Sequence, residues 1–309
     1  MRRSIQFSIW FLATLLIPFL VSAATVAPLA IEIAGDRGET ISSTFSIINT
    51  EAFDREYYLG MMGFLPKDDS GAPQFFSALE QTDGFTRWVV FPSESVVVPA
   101  QSKADVHFTI AIPDDAVSGG YYAAITVSPA PADVVVSNGA IIQAKTAILL
   151  LLTVEGETVE SLALLDFTSL GEEFDLPFGT FRYRLQNQGN VHVMPTGTVT
   201  LTGVFGQQIG SIDANPADGR VLPSSTRVFE VKYEETFSGW FDTVAYQLQH
   251  LTIGPVTATL DISYGNAQSI QSEIRFWVIP WQFLITIVVL AGIAYLPFRA
   301  RLKKTDSIK

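Results

Sequence analysis

Cysteine is absent from the 309 residues, which excludes a disulfide-stapled scaffold, a Cys-ligated zinc site and a thiol nucleophile. Charge is scarce too, at 16% of residues against roughly a quarter in an average soluble domain, while 48% of the chain is apolar. That excess asks for a membrane explanation. Basic residues are few: 19 Lys and Arg stand against 31 Asp and Glu, a formal net charge of −12. A nucleic-acid partner is excluded, because phosphate neutralisation needs a basic face. No long polar low-complexity stretch is present, so bulk disorder is not expected. None of the six Asn opens an Asn-x-Ser/Thr sequon, which with the missing cysteines fits a prokaryotic secretory route. The length allows about two domains.

Both ends carry membrane signals. Arg2 and Arg3 precede an uncharged run from Ile5 to Val21, followed by Ser22, Ala23 and Ala24, the order of a signal peptide over 1–24. A retained N-terminal membrane helix is the alternative. Between Arg275 and Arg299 lie 23 residues without a formal charge, and a helix of that length reaches roughly 35 Å, enough for a hydrocarbon core. Trp277 and Trp281 at one end and Tyr295 at the other suit membrane interfaces, Pro280 suits a first turn and Pro297 an exit. The expected transmembrane helix is therefore 276–298, with a basic cytoplasmic tail over 299–309 holding Arg299, Arg301, Lys303, Lys304 and Lys309. The expected localisation is the cell membrane, single-pass, with the bulk of the chain extracytoplasmic and the C-terminus cytoplasmic. Up to Arg275, and without the two leader arginines, 30 acidic and 12 basic residues give about −18, a charge that attracts cations or basic partners.

Apolar residues in the exported part alternate with period two, the mark of half-buried strands. Val106, Phe108, Ile110 and Ile112 interleave with Asp105, His107 and Thr109; Phe181, Tyr183 and Leu185 with Thr180, Arg182 and Arg184; Val256, Ala258, Leu260, Ile262 and Tyr264 with Thr257, Thr259, Asp261 and Ser263. Turn clusters such as Lys67-Asp68-Asp69-Ser70-Gly71, Ser118-Gly119-Gly120 and Ala217-Asp218-Gly219 break these runs. The predicted fold class is all-β: two immunoglobulin-like antiparallel β-sandwiches, over 25–155 and 156–275, plus the C-terminal transmembrane helix. The boundary falls in Glu155-Gly156-Glu157-Thr158.

Within the first half, Thr86-Arg87-Trp88-Val89-Val90, then Val97-Val98-Pro99, Phe108-Thr109-Ile110-Ala111-Ile112-Pro113-Asp114-Asp115-Ala116 and Gly119-Gly120-Tyr121-Tyr122-Ala123-Ala124-Ile125 follow in a familiar order. The order resembles the peptidoglycan-binding-like domain of bacterial WxL-interacting surface proteins, whose pattern runs from a Trp strand through an Ile-x-Ile-Pro strand to a Gly-Gly-Tyr turn. The resemblance covers about residues 26 to 155, with Pro28 and Glu32 echoing the opening Pro-Glu pair. Leu185-Gln186-Asn187-Gln188-Gly189-Asn190-Val191-His192 and Pro195-Thr196-Gly197 look like the membrane-proximal sandwich that follows such domains. The resemblance implies a non-enzymatic envelope protein that contacts peptidoglycan, other exported surface proteins, or both.

Catalysis needs a base or a nucleophile, and the histidines are His107, His192 and His250. No Gly-x-Ser-x-Gly elbow, His-Glu-x-x-His helix or phosphate loop is present. His107 sits on the polar face of its strand, and His192 follows a turn-forming cluster. Asp213, Asn215 and Asp218 ahead of Gly219 resemble a calcium loop, but the one-three-five spacing fails and position twelve is Ser224, so an ordinary turn is expected. Glu155, Glu157, Glu160 and Asp166 form either a cation clamp or a solvated linker. Trp88 and Trp240 are each a sugar platform or a core plug. Tyr121 and Tyr122 straddle two faces, one offering an outward contact or a tyrosine corner.

No catalytic, metal or cofactor-binding residue is therefore assigned, and no cofactor is expected. The leading expectation is a non-enzymatic, membrane-anchored surface scaffold contacting cell-wall glycan or exported proteins. The alternative is a membrane-tethered, chaperone-like assembly factor for surface or pilus subunits that acts by strand-edge pairing.

Overall fold

The computed structural model describes residues 24–80, 82–131, 145–170, 173–174, 179–234, 237–250 and 253–306. The expected signal peptide lies outside them, apart from Ala24. The chain divides into two compact units, one of residues 1–64 with 75–156, the other of residues 65–74 with 157–309.

Among the described residues the first unit is a sandwich of ten strands, with a 3-10 turn at Ala78–Glu80 and one short α-helix. In chain order these are β1 (Thr25–Ala27), β2 (Ala30–Gly35), β3 (Thr40–Asn49), β4 (Arg55–Pro66), β5 (Pro73–Ser77), α1 (Phe85–Trp88), β6 (Val89–Val90), β7 (Ser95–Val98), β8 (Ser102–Ala111), β9 (Gly119–Ser128) and β10 (Thr146–Val154). One sheet runs β1-β3-β8-β6; the other runs β2-β10-β9-β4-β5, with β7 also on β4. β2 pairs parallel with β10, while β3 with β8 and β9 with β10 are antiparallel. Alternation drives this arrangement, because every second residue of a strand faces the same side. Phe45 and Ile47 of β3 and Val106, Phe108 and Ile110 of β8 thereby face Ile125 and Val127 of β9 and Ile148, Leu150 and Leu152 of β10. Each such side chain contributes about 1.5–3 kcal/mol on burial.

The second unit repeats the plan with β11 (Leu162–Leu170), β12 (Glu173–Phe174), β13 (Gly179–Asn187), β14 (Thr196–Thr202), β15 (Gln208–Asp213), β16 (Thr226–Tyr233), α2 (Trp240–His250), β17 (Gly254–Tyr264), β18 (Gln268–Val278) and α3 (Trp281–Asp306). Its sheets run β11-β13-β16 and β12-β18-β17-β14-β15. Phe181, Tyr183, Leu185, Phe229 and Val231 from the first sheet pack on Val199, Leu201, Val256, Ala258, Leu260 and Ile262 from the second. Residues 65–74 are part of this unit. Asp69 O accepts Val228 N at 2.6 Å, and its carboxylate lies 3.5 Å from Arg184.

The all-β sandwich expectation holds, but the transmembrane one does not. Phe276, Trp277 and Val278 end β18, where they pair with Val256, Pro255 and Gly254, and Phe276 packs 5.9 Å from Phe181. The uncharged run therefore crosses an element boundary. Pro280 marks it, its carbonyl accepting Leu284 N at 3.1 Å, and Pro297 lies inside the helix instead of at an exit. No helix of the described residues is long and apolar enough to cross a membrane. The single-pass membrane localisation with a cytoplasmic tail is accordingly corrected. Along α3, large apolar side chains such as Val288, Leu290 and Leu296 are exposed.

Candidate functional site

The residues weighed for chemistry are placed in structural roles. His107 Nδ1 lies 2.7 Å from Thr44 Oγ1 across the exposed face of β3 and β8, and His192 is half-buried beyond the Asn187 turn. Asp213 Oδ1 accepts Asn215 N, and the buried Asn215 amide donates to Pro195 O and Gly219 O while accepting Gly219 N, all at 2.8–2.9 Å. This closes the ordinary turn that failed calcium spacing predicts. Asp166 holds Arg184 at 2.5 Å, which raises the guanidinium above its usual range through that hydrogen bond first. Glu155 belongs to the first unit and Glu157 and Glu160 to the second. Among the described residues no group of three acidic or His side chains is placed to hold a metal ion.

The aromatic candidates divide in the same manner. Trp88 packs half-buried against the first core, 4.7 Å from the Tyr121 ring and edge-on to Phe85. Tyr121 Oη donates to Val117 O at 2.8 Å and accepts Val117 N at 3.1 Å, closing the loop before β9. Burial pushes its phenol up. Tyr122 points to the other side of the sheet, 6.2 Å from Phe64. Trp240 opens α2, Nε1 donating to Thr286 Oγ1 at 3.2 Å and the ring standing edge-on to Trp281.

Two polar fixtures escaped the sequence reading. Tyr183 Oη, buried and stacked on Phe229, donates to Ala214 O at 2.6 Å, and burial pushes the phenol far above its ordinary range. Asn49 at the end of β3 donates to Phe53 O, Val98 O and Pro99 O and accepts Glu51 N. Tyrosine alternation and a terminal Asn were visible in the sequence, but the carbonyls of Ala214, Val98 and Pro99 that they reach lie far away along the chain.

What the fold leaves available is strand edge, where backbone N–H and C=O groups have no ladder partner. Most edges are guarded. β1, β6 and β12 are two or three residues long, β5 opens on Pro73, and β11 carries a bulge between Leu164 and Asp166. Asp69 bonds β16, and Tyr233 Oη donates to Ile209 O of β15 at 3.4 Å. Beyond the two residues paired with β6, β8 presents Lys103, Asp105 and His107. Among the described residues the ladder partner on the far side of β18 is β12, at Trp277 and Val278; the strand carries Glu273 and Arg275, and Gln268 Nε2 donates to Glu160 O, ahead of β11, at 3.3 Å. β2 pairs with β10 along its whole length and has no strand on its other side among the described residues.

No family model and no curated protein matches the chain. Solved structures similar to it include fimbrial chaperones. One is a chaperone–tip adhesin complex of CFA/I fimbriae, with 10% identity and a TM-score of 0.40, covering 84% of this chain and 100% of that one. Another is the Escherichia coli chaperone DraB, with 11% identity and a TM-score of 0.37, covering 82% and 98%. A third is the Salmonella enterica chaperone SafB with the pilin SafA, with 8% identity and a TM-score of 0.34, covering 84% and 100%. At these scores no residue correspondence is drawn. The resemblance to WxL-interacting, peptidoglycan-binding-like proteins is corrected: no model of that family matches, and Trp88 of its expected Trp strand ends the helix α1. That helix forms because Asp83 Oδ1 accepts Phe85 N at 3.0 Å and Gly84 O accepts Arg87 N at 2.9 Å, which turns the chain before Val89.

Proposed function

We propose that the chain is a non-enzymatic, chaperone-like assembly factor that binds an extended segment of an exported surface protein by pairing it to an open sheet edge. One observation carries this reading: among the described residues, β2 is the last strand of its sheet, laddered on one side to β10, and β18 is laddered along its length to β17 and on its other side to the two-residue β12. Such edges template strand addition, in which main-chain hydrogen bonds supply affinity and alternate side chains supply selectivity. A shared role with the chaperones above, one found with a tip adhesin and one with a pilin, is part of the proposal.

The test is amide hydrogen exchange on the full chain, alone and with unfolded exported surface proteins from the same cells. Edge pairing predicts slowed exchange confined to outward amides of an edge strand in the complex. Binding that protects only loops, or no binding at all, would refute the reading.

A further inference from the structure

We infer that α3 pairs with α3 of a second copy of the chain, the two helices antiparallel and joined along one apolar stripe; this is independent of the edge-pairing reading. The stripe has heptad spacing. Trp281, Leu284, Val288, Ala291 and Tyr295 follow one another at intervals of three and four residues, which sets them along one side of a helix, ahead of Pro297. That side is turned from α2. Gln282 is buried and Thr286 half-buried, and both bond α2: Gln282 Oε1 accepts Gln247 Nε2 at 2.7 Å, and Thr286 Oγ1 accepts Trp240 Nε1 at 3.2 Å. On the far side Leu284, Ile285, Val288 and Tyr295 are 43%, 47%, 70% and 56% exposed, and Trp281 at the margin is 45% exposed.

A second copy supplies what the stripe needs. At roughly 100 Å² of exposed surface each, these five side chains from two copies take on the order of 1,000 Å² out of water, the size at which a specific interface begins. No residue between Arg275 and Arg299 carries a formal charge, so the pairing strips water from no ion. Gly292 lies beside the stripe with nothing within 4 Å of a built Cβ, which leaves room for the two backbones to come close.

Size and charge set the direction. With the helices antiparallel, the first heptad position of one meets the fourth of the other, so Val288 packs on Ala291 twice and Leu284 meets Tyr295 twice. Large then faces small at the centre. A parallel pair would put Ala291 against Ala291, leaving a void, and Trp281 against Trp281, crowding the start. Charge agrees. Between Glu157 and Arg275 stand 14 acidic and 6 basic residues, while 299–309 hold five basic and one acidic. Parallel helices would bring like charges together at both ends, whereas antiparallel ones bring each basic end to the acidic sandwich of the other copy.

The experiment is sedimentation velocity of the full chain at micromolar concentration without detergent. The wild type should sediment as a dimer. Val288→Glu, at the centre of the stripe, should raise the dissociation constant tenfold or more, and Leu290→Glu, off the stripe and 60% exposed in the single chain, should leave it unchanged. Direction is read with cysteines, for which a chain that has none is a clean background. Leu284→Cys and Tyr295→Cys chains, mixed and oxidised, should cross-link to each other and neither to itself. A monomer at every concentration would overturn the pairing, as would equal losses in Val288→Glu and Leu290→Glu. Wild-type dimers that dissolve into phosphatidylcholine–phosphatidylglycerol vesicles would overturn the second copy as occupant, and Leu284→Cys linking to itself would overturn the antiparallel direction.

Discussion

Asn49 and Asn187 hold the same place in the two units, each at the end of the second strand of a sheet and each 1% exposed. Asn187 donates to Val191 O and Val221 O and accepts Gly189 N, all at 2.8 Å, tying the loop after β13 to the strand end. Removing it strands buried carbonyls, at about 1–3 kcal/mol for each. Asn187→Ala should cost the second unit about 2–4 kcal/mol in urea unfolding, and Asn187→Asp, of similar shape but unable to donate, should fall with it. Tyr183 yields a second prediction, with a pH signature. Its folded phenol titrates well above the ordinary value of 10.0, so stability is fully present below about pH 10 and declines above it, where only the unfolded chain gives up the proton. Tyr183→Phe should cost about 1–2 kcal/mol at neutral pH and reduce that alkaline decline. Tyr57 and Tyr121, also raised by burial, keep theirs. The Asn187-Gln188-Gly189 cluster was readable as a turn, because turn chemistry is local. That the same amide reaches Val221 was not, because that contact depends on tertiary closure.

At the scale of elements, the strands around Val106–Ile110, Phe181–Leu185 and Val256–Tyr264 were legible because their alternation is long and regular. The helices were harder to read. Trp240–His250 is rich in aromatic and β-branched residues, which have modest helix propensity, and it is held by contacts to α3. Gln247 Nε2 donates to Gln282 Oε1 at 2.7 Å, and Gln247 Oε1 accepts Phe283 N at 3.0 Å, closing one orphan donor of that helix. Gln247→Ala should therefore speed hydrogen exchange at Phe283 by tenfold or more, and an unchanged rate would deny Gln247 that role. The apolar run after Arg275 was misread for a related reason: hydropathy is blind to a strand becoming a helix inside it. Two glycines separate backbone strain from crowding. Gly206, at φ +78 with open space around its Cβ position, should lose about 1–2 kcal/mol as alanine. Gly197, at φ +155 with Asp261 O only 1.9 Å from a built Cβ, should lose more, about 2–4 kcal/mol, because β17 must move. Comparing the two by urea unfolding checks the order.

For the molecule as a whole, the chain forms two compact units, and residues 65–74 belong with the second of them. Lys67-Asp68-Asp69-Ser70-Gly71 announces a hairpin tip, and Lys67 N does donate to Ala72 O at 2.9 Å. Nothing in those residues tells which sandwich the tip completes. Replacing Lys67–Ala72 with an Asn-Gly turn in the full chain should lower the unfolding midpoint of the second unit, because Val228 N and Arg184 lose Asp69. The first core should keep its midpoint. Equal losses in both would show the tip to be structural for each.

That borrowed decapeptide also gives the chain a timetable. Synthesis runs from the N-terminus, so the loop leaves the ribosome long before the strands that bed it exist. The later sandwich must recruit a piece already made, and a cut at the apparent midpoint of the protein would yield one half with a surplus finger and another lacking it.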